Sequence, residues 1–342
     1  MNEKERLLTV LRHGMVDRVP VVSPLQTATI EQMEQTGTYW PDAHLHPEKM
    51  ARLALAAPLL LGLENVRVPF ETSGDASAFD MEIVHRSLRR QPGVIGRRIM
   101  SPEGFADVEM PDPKKDGLIP VELEAIRLIK GERPDLPLIC GICSPHMLAL
   151  QLLGCREANR LMTEDTILFS ATLHKAKAWA VTHALAAVEA GADVICLIDP
   201  LACEGVWNTY QYQVHALPYL RHVCTKVESA GAPVILHSCG DVTLNLPQMS
   251  RTGANGISLD YEVDISLAKG AVEGRCAIIG NLSPTALILR GPVEEIERTV
   301  RSCIEAGVDA IAPGCGLAIE TPNAHIRAMV EATKAYGTKG LD

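Results

Sequence analysis

A chain of 342 residues, 47% of them hydrophobic, has material for a large core and a length ordinary for an α/β barrel, a fold that runs to about 250 residues and beyond. Its formal charge of -10 argues against a nucleic-acid partner, because neutralising phosphates takes concentrated Lys and Arg. The charged start Met1-Asn2-Glu3-Lys4-Glu5-Arg6 is not a signal peptide, and no apolar run, residues 53–63 included, reaches membrane-spanning length; ten cysteines then fit a reducing cytoplasm.

Residues 1–18 read as an amphipathic N-terminal helix. Beyond it, short β-rich runs alternate with helix-like segments. Strands are expected at 19–23, 65–70, 136–143, 193–199, 233–239, 256–260, 276–282 and 309–313. Most are continuously apolar, the pattern of parallel strands covered on both faces. Helices are expected at 47–63, 164–190, 210–230, 293–306 and 322–336.

The joints repeat. Glu189-Ala190-Gly191-Ala192-Asp193-Val194 resembles Glu305-Ala306-Gly307-Val308-Asp309-Ala310, and Arg251-Thr252-Gly253-Ala254-Asn255-Gly256 is a weaker copy. Each glycine stands where a helix ends and needs a left-handed residue. Eight such units predict one domain over residues 1–342, a (β/α)8 TIM barrel. Residues 71–117, rich in Gly and Pro, fit no βα unit and read as an insertion after the second strand, near the barrel mouth. Within it, the basic run Arg86-Ser87-Leu88-Arg89-Arg90, with Arg97-Arg98, reads as a solvated face more readily than a docking patch.

In such a barrel the site gathers where strands end. Those ends carry Gln26, His146, Asp199, His237, Cys239, Asp260, Asn281 and Cys315. Residues two apart on a strand share a face, so His237 and Cys239 project together. With Cys315 they make one imidazole and two thiolates, a three-ligand set that selects zinc and leaves a position open for chemistry. Asp260 is either a displaceable fourth ligand or an acceptor behind His237. Asp199 is assigned to the pocket wall, with a structural capping role as the alternative, and Asn281 is placed with it. Cys140-Gly141-Ile142-Cys143 is read as packing, because thiols three apart on a strand face opposite ways. Thr321-Pro322 reads as a helix start, in the main a cap and no more, with a seat for an anionic substrate group at its positive end as the alternative.

The His237-Ser238-Cys239-Gly240 segment, Gly280-Asn281-Leu282-Ser283-Pro284 and the run from Glu305 through Ala312-Pro313-Gly314-Cys315-Gly316 to Thr321-Pro322-Asn323 resemble the uroporphyrinogen decarboxylase superfamily. Together with Arg18-Val19-Pro20-Val21-Val22-Ser23, Gln26-Thr27 and Trp40-Pro41-Asp42-Ala43-His44, they match its methylcobamide:coenzyme M methyltransferase branch. The resemblance implies a TIM barrel with zinc on His237, Cys239 and Cys315. It implies methyl transfer from methylcobalamin, carried by a partner corrinoid protein, to a small thiol such as coenzyme M. Gln26, Asp199, Asn281 and His146 would line the pocket. The alternatives are a methyltransferase that loads the corrinoid from a methyl ether, amine or halide, a decarboxylase-like enzyme, and a docking factor on an inactive barrel. Against decarboxylation, Pro24-Leu25-Gln26-Thr27-Ala28 stands where the decarboxylases carry arginines, and Gly314-Cys315-Gly316 replaces their Gly-His-Gly.

Overall fold

The computed structural model describes residues 1–338 apart from 86, 89, 96–103, 105–107 and 204–205. Arg86, Arg89, Arg97 and Arg98 of the basic run therefore lie outside the described residues. Seven parallel strands form the main sheet: β1 (Val66–Val68), β4 (Leu138–Cys143), β5 (Val194–Ile198), β6 (Val234–Ser238), β7 (Gly256–Leu259), β8 (Ala277–Leu282) and β9 (Ala310–Pro313), paired in that order. The remaining two, β2 (Glu82–Val84) and β3 (Gly93–Ile95), make a separate antiparallel hairpin between β1 and β4.

The expected eighth strand at 19–23 is reduced to one bridge, Val21 to Ile311. Pro20 and Pro24 withhold the N–H donors a full ladder needs. The segment still closes the barrel. On one side Val22 donates to the Ile311 carbonyl and Ile311 donates to that of Pro20, both at 2.9 Å. On the other, Glu64 donates to the Val21 carbonyl at 2.9 Å. The fully buried Asn65 side chain then stands in for a strand, accepting from the Ser23 N–H at 2.7 Å and donating to the Ser23 carbonyl at 3.0 Å. Asn65→Ala orphans those two backbone groups and is expected to cost about 1–3 kcal/mol, read from urea unfolding.

Alternation along the strands divides the core in two. Val194, Cys196 and Ile198 of β5 join Ile139, Ile235, Ala277, Ile279, Ala310 and Ala312 inside the barrel, while Ile195 and Leu197 face the helices. The helix Glu3–Leu11, started by a capping box between Asn2 and Glu5, sends Leu7, Val10 and Leu11 into that interior cluster. The Leu11 side chain stands 2.9 Å from where a Cβ on Gly256 would be, so it plugs the end of the barrel opposite the mouth.

The helix expected at 164–190 runs over Thr166–Ala190, after a separate helix Cys155–Glu164. The one expected at 210–230 is broken by a π-turn at Tyr212–Ala216, then continues over Leu217–Ser229 with Pro218 in its first turn. Gly191, Gly253 and Gly307 have φ of 118°, 82° and 89°, the left-handed conformation the repeated joints require. The helix expected at 322–336 begins at Asn323 with Pro322 as its cap, and Thr321 makes no capping bond. Its first N–H already donates to the Glu31 carboxylate at 3.1 Å. A carboxylate of this chain fills the seat considered for a substrate anion.

Candidate metal centre

β6 sets the first two members of the group. Ile235 and His237 lie on the inner face, and Cys239 continues the alternation just past the strand end. His237 is fully buried, while Cys239 and Cys315 are half-buried. The chain turns away at once through Gly240, whose φ of 71° is left-handed. Cys315 arrives from the loop after β9, flanked by two close approaches. A Cβ on Gly314 would stand 2.7 Å from the Tyr261 backbone nitrogen, and one on Gly316 would stand 3.2 Å from the Gln26 Cβ.

The three side chains converge. His237 Nε2 is 3.4 Å from Cys239 Sγ, Cys239 Sγ is 3.7 Å from Cys315 Sγ, and all three ligand atoms lie within 4.8 Å of one another. The hydrogen bond from Cys239 and the proximity of His237 hold the Cys315 thiol well below its ordinary range. The same contact, reinforced by burial, pushes Cys239 up. A bound dication would favour the thiolate of both.

The other His237 nitrogen, Nδ1, is 3.1 Å from Ser258 Oγ, a residue paired directly with His237 across β6 and β7. This outer contact fixes the ring, the role that Asp260 was a candidate for. Ser258→Ala is expected to weaken metal affinity about 10–100-fold, measured by competition with a chelator.

Asp260 does something else. Its Oδ2 accepts from the Gly240 N–H at 2.9 Å and its Oδ1 from the Tyr261 N–H at 2.6 Å. It clamps the turn that carries Cys239 and is not one of the three converging residues. Asn281 donates to the Asp260 and Val263 carbonyls at 2.9 and 2.7 Å, bracing the loop after β7 that carries Asp260.

A cavity of about 340 Å³ opens onto His237, Cys239 and Cys315, lined also by Gln26, Arg67, Phe70, Glu71, Met147 and Gln91 of the β2–β3 hairpin turn. Of the residues expected on its wall, Gln26 is there. It donates to the Leu317 carbonyl at 2.7 Å, and its buried Oε1 is left without a partner.

Asp199, Asn281 and His146 are not on that wall. Ile198 faces the interior, so Asp199 next to it points outward. Buried there, it accepts from Ser144 Oγ at 3.0 Å and stands 3.8 Å from His146 Nδ1. Burial pushes the Asp199 carboxyl up. His146 meets the His215 carbonyl at 2.5 Å and packs edge-on to Trp207, in a separate small pocket. Cys140 and Cys143 are buried and stand outside the ligand group, Cys143 Sγ donating to the Thr72 carbonyl at 3.0 Å.

The sequence reading passed over Arg67 and Glu71. Arg67 sits inside β1 between two outward valines, fully buried, with Nε on the Pro24 carbonyl at 2.7 Å and Nη1 on that of Pro69. Its Nη2 would be 1.8 Å from a Cβ on Gly141, so that glycine makes room for it. A charge in the middle of an apolar strand was the available signal.

A parallel barrel with an imidazole and two thiols converging at its mouth, open to one cavity, defines the class: a barrel enzyme with a His-Cys-Cys group at its strand ends. The family follows from comparison with known proteins. The model of the uroporphyrinogen decarboxylase (URO-D) family matches residues 2–336, and the chain belongs to that family, in its methylcobamide:coenzyme M methyltransferase branch. It is 38% identical over 334 residues to the methylcobamide:CoM methyltransferase MtbA of Methanosarcina acetivorans, covering 97% of this chain and 98% of the relative. It is 34% identical over 336 residues to MtaA of Methanosarcina barkeri, with coverage of 97% and 98%. A solved methyltransferase from Methanosarcina mazei superposes with a TM-score of 0.94 at 34% identity, over 98% of this chain and 99% of that one. The chain is an enzyme of the methyltransferase kind. Among the described residues no helix is long and apolar enough to cross a membrane.

Proposed function

We propose that this enzyme is zinc-dependent and moves a methyl group from a methylated corrinoid, carried by a partner protein, to a small thiol, coenzyme M being the acceptor named for its relatives. The observation that carries the reading is the convergence of His237, Cys239 and Cys315 at the cavity. The donor set fits zinc, because two soft thiolates and one imidazole match its preference and the fourth side faces open space. Bound there, zinc would supply Lewis acidity that keeps an incoming thiol deprotonated near neutral pH, and a thiolate is the nucleophile that methyl transfer needs.

The protein's own residues serve that end by position. Ser258 fixes the His237 ring, Asp260 holds the turn that carries Cys239, and Asn281 braces the loop that carries Asp260. Gln26 lines the cavity and donates to the Leu317 carbonyl, holding the backbone just beyond Cys315. Phe70, Met147 and Ile198 give that cavity an apolar wall, which keeps water from competing for the site.

The test is metal analysis of the purified enzyme, then methylcobalamin absorbance with coenzyme M, homocysteine and tetrahydrofolate in turn. About one zinc per chain with thiol-dependent loss of methylcobalamin is the expected result. Zinc bound without turnover on any thiol would shift the assignment to corrinoid loading from another methyl donor. Absence of zinc would sink the metal reading.

A further inference from the structure

Two arginines are buried among the described residues, and their surroundings differ. Arg6 is paired: Asp17 meets it at 2.7 and 2.9 Å and Glu64 at 3.3 Å. Arg67, 1% exposed, has no carboxylate of the described residues within 4 Å. Its Nε and Nη1 are committed to the carbonyls of Pro24 and Pro69, and its Nη2 has no acceptor among the described residues. Glu122 and Glu71 act on it only at longer range. A buried guanidinium without a counter-charge is costly, and charges in protein interiors are almost always paired or bound to something.

Arg67 faces the cavity. It is the one Lys or Arg among the described residues of the lining, where His237, Cys239 and Cys315 also stand. The guanidinium lies over Gly141, which pairs with Cys196, and Cys196 pairs with Ile235. His237 is the next inward residue of β6, so in strand register the guanidinium lies one row, about 6.5 Å, before it. Arg67 thus forms the floor of the cavity and the His-Cys-Cys group its mouth. The wall carries one acid, Glu71. Its Oε2 is taken by the Ser73 N–H and hydroxyl and by the Gly74 N–H, and burial pushes it up to about 7. It is no fixed counter-charge for the arginine.

We propose that Arg67 binds the acidic end of the substrate thiol, a sulfonate or carboxylate, and so selects a short thiol that carries an anion a few bonds from its sulfur. This deepens the thiol-acceptor reading above and rests on it. An oxyanion against Nη2 would supply the missing counter-charge through charge-assisted hydrogen bonds, for which the guanidinium fork is well shaped. With the anion on the floor, the sulfur is turned to the mouth, where the three converging side chains stand. A cavity of about 340 Å³ leaves room between the two for a chain of a few atoms. Coenzyme M, 2-mercaptoethanesulfonate, has that form, its sulfur and its sulfonate being two carbons apart. Arg67 is a positioning residue: it orients the thiol without touching the reacting atoms.

The experiment measures kcat and KM of the zinc-loaded enzyme for coenzyme M, 3-mercaptopropionate and the neutral 2-mercaptoethanol, with methylcobalamin as methyl donor. In wild type, kcat/KM should be about 100-fold higher for coenzyme M than for mercaptoethanol, the difference lying in KM, as for a buried charge contact made equally in ground and transition states. A 3-mercaptopropionate value near that of coenzyme M assigns the seat to either anion, and one near that of mercaptoethanol assigns it to sulfonate alone. Arg67→Met should bring the ratio of coenzyme M to mercaptoethanol down to roughly threefold or less, a comparison in which general damage to the enzyme cancels. Ethanesulfonate, which has the anion and no thiol, should bind wild type in ligand-observed NMR and be displaced by coenzyme M. Ethanesulfonate binding equally well to Arg67→Met would overturn the proposal. So would a wild-type ratio near one, or the full ratio kept in the variant; each leaves Arg67 as the pin of the Pro24 and Pro69 carbonyls and the thiol reading intact. If Arg67→Met does not fold, Arg67→Lys, which keeps the charge and loses the fork, should lower the ratio about tenfold, and an unchanged ratio there is the refuting result. Wild type that methylates no thiol at all would overturn both this proposal and the reading beneath it.

Discussion

Cys315→Ala is expected to purify without stoichiometric zinc and to lose methyl transfer by about a thousandfold or more, the several kcal/mol that a Lewis-acidic metal supplies. The reason is geometric. Cys239 and Cys315 stand 3.7 Å apart with His237 Nε2 beside them, so removing one sulfur leaves an incomplete pair of ligands at a half-open site. The Gly314 and Gly316 approaches that carry Cys315 remain, and the fold should survive. Metal content and rate, followed against thermal unfolding, separate loss of zinc from loss of structure. A Cys315→Ala protein that kept full zinc and full rate would remove the metal assignment altogether.

The second large effect is on stability. Arg67→Ala is expected to destabilise the fold by about 3–5 kcal/mol, because it leaves buried carboxyls without their nearby cation. Burial pushes the guanidinium down, but Cys196, Cys140, Glu122 and Glu71 press around it in the opposite sense. The change also strips donors from the Pro24 and Pro69 carbonyls and opens a void over Gly141. Urea unfolding gives the measurement, and a loss below about 1 kcal/mol would mean that cavity water substitutes for the arginine. The Gly141 position carries a corollary: Gly141→Ala, which drives a methyl into Arg67 Nη2, should be destabilising although alanine suits a strand better than glycine.

The barrel and the pairing of His237 with Cys239 were legible because both depend on short-range periodicity. Alternation alone places His237 and Cys239 on one face, and the three glycine joints mark where helices turn into strands. What failed was placing polar residues in the pocket by their position at strand ends, without that alternation. Asp199 follows inward-facing Ile198 and so had to face outward, yet its position at a strand end suggested the pocket. Asp260 and Asn281 have carboxylate and amide groups that a site could use, but the backbone N–H and C=O groups of the loops claim them first. Their partners lie on other strands, and no spacing in the sequence reveals that. Arg67 and Glu71 were missed for the opposite reason. Their value comes from Gly141 and Gly74 leaving space across the barrel, a complementarity that spans β1, β4 and the helix Ile119–Glu132.

The plug made by the helix Glu3–Leu11 has a kinetic meaning. With Leu7 and Leu11 filling the far end of the barrel, the cavity opens at the mouth. A corrinoid protein that delivers a methyl group must cover that opening. Under the methyl-transfer reading, the thiol enters before the corrinoid protein arrives, and the thioether leaves only after it has gone. On that reading the order of addition and release follows from where the cavity opens: a queue with the small molecule first in and last out.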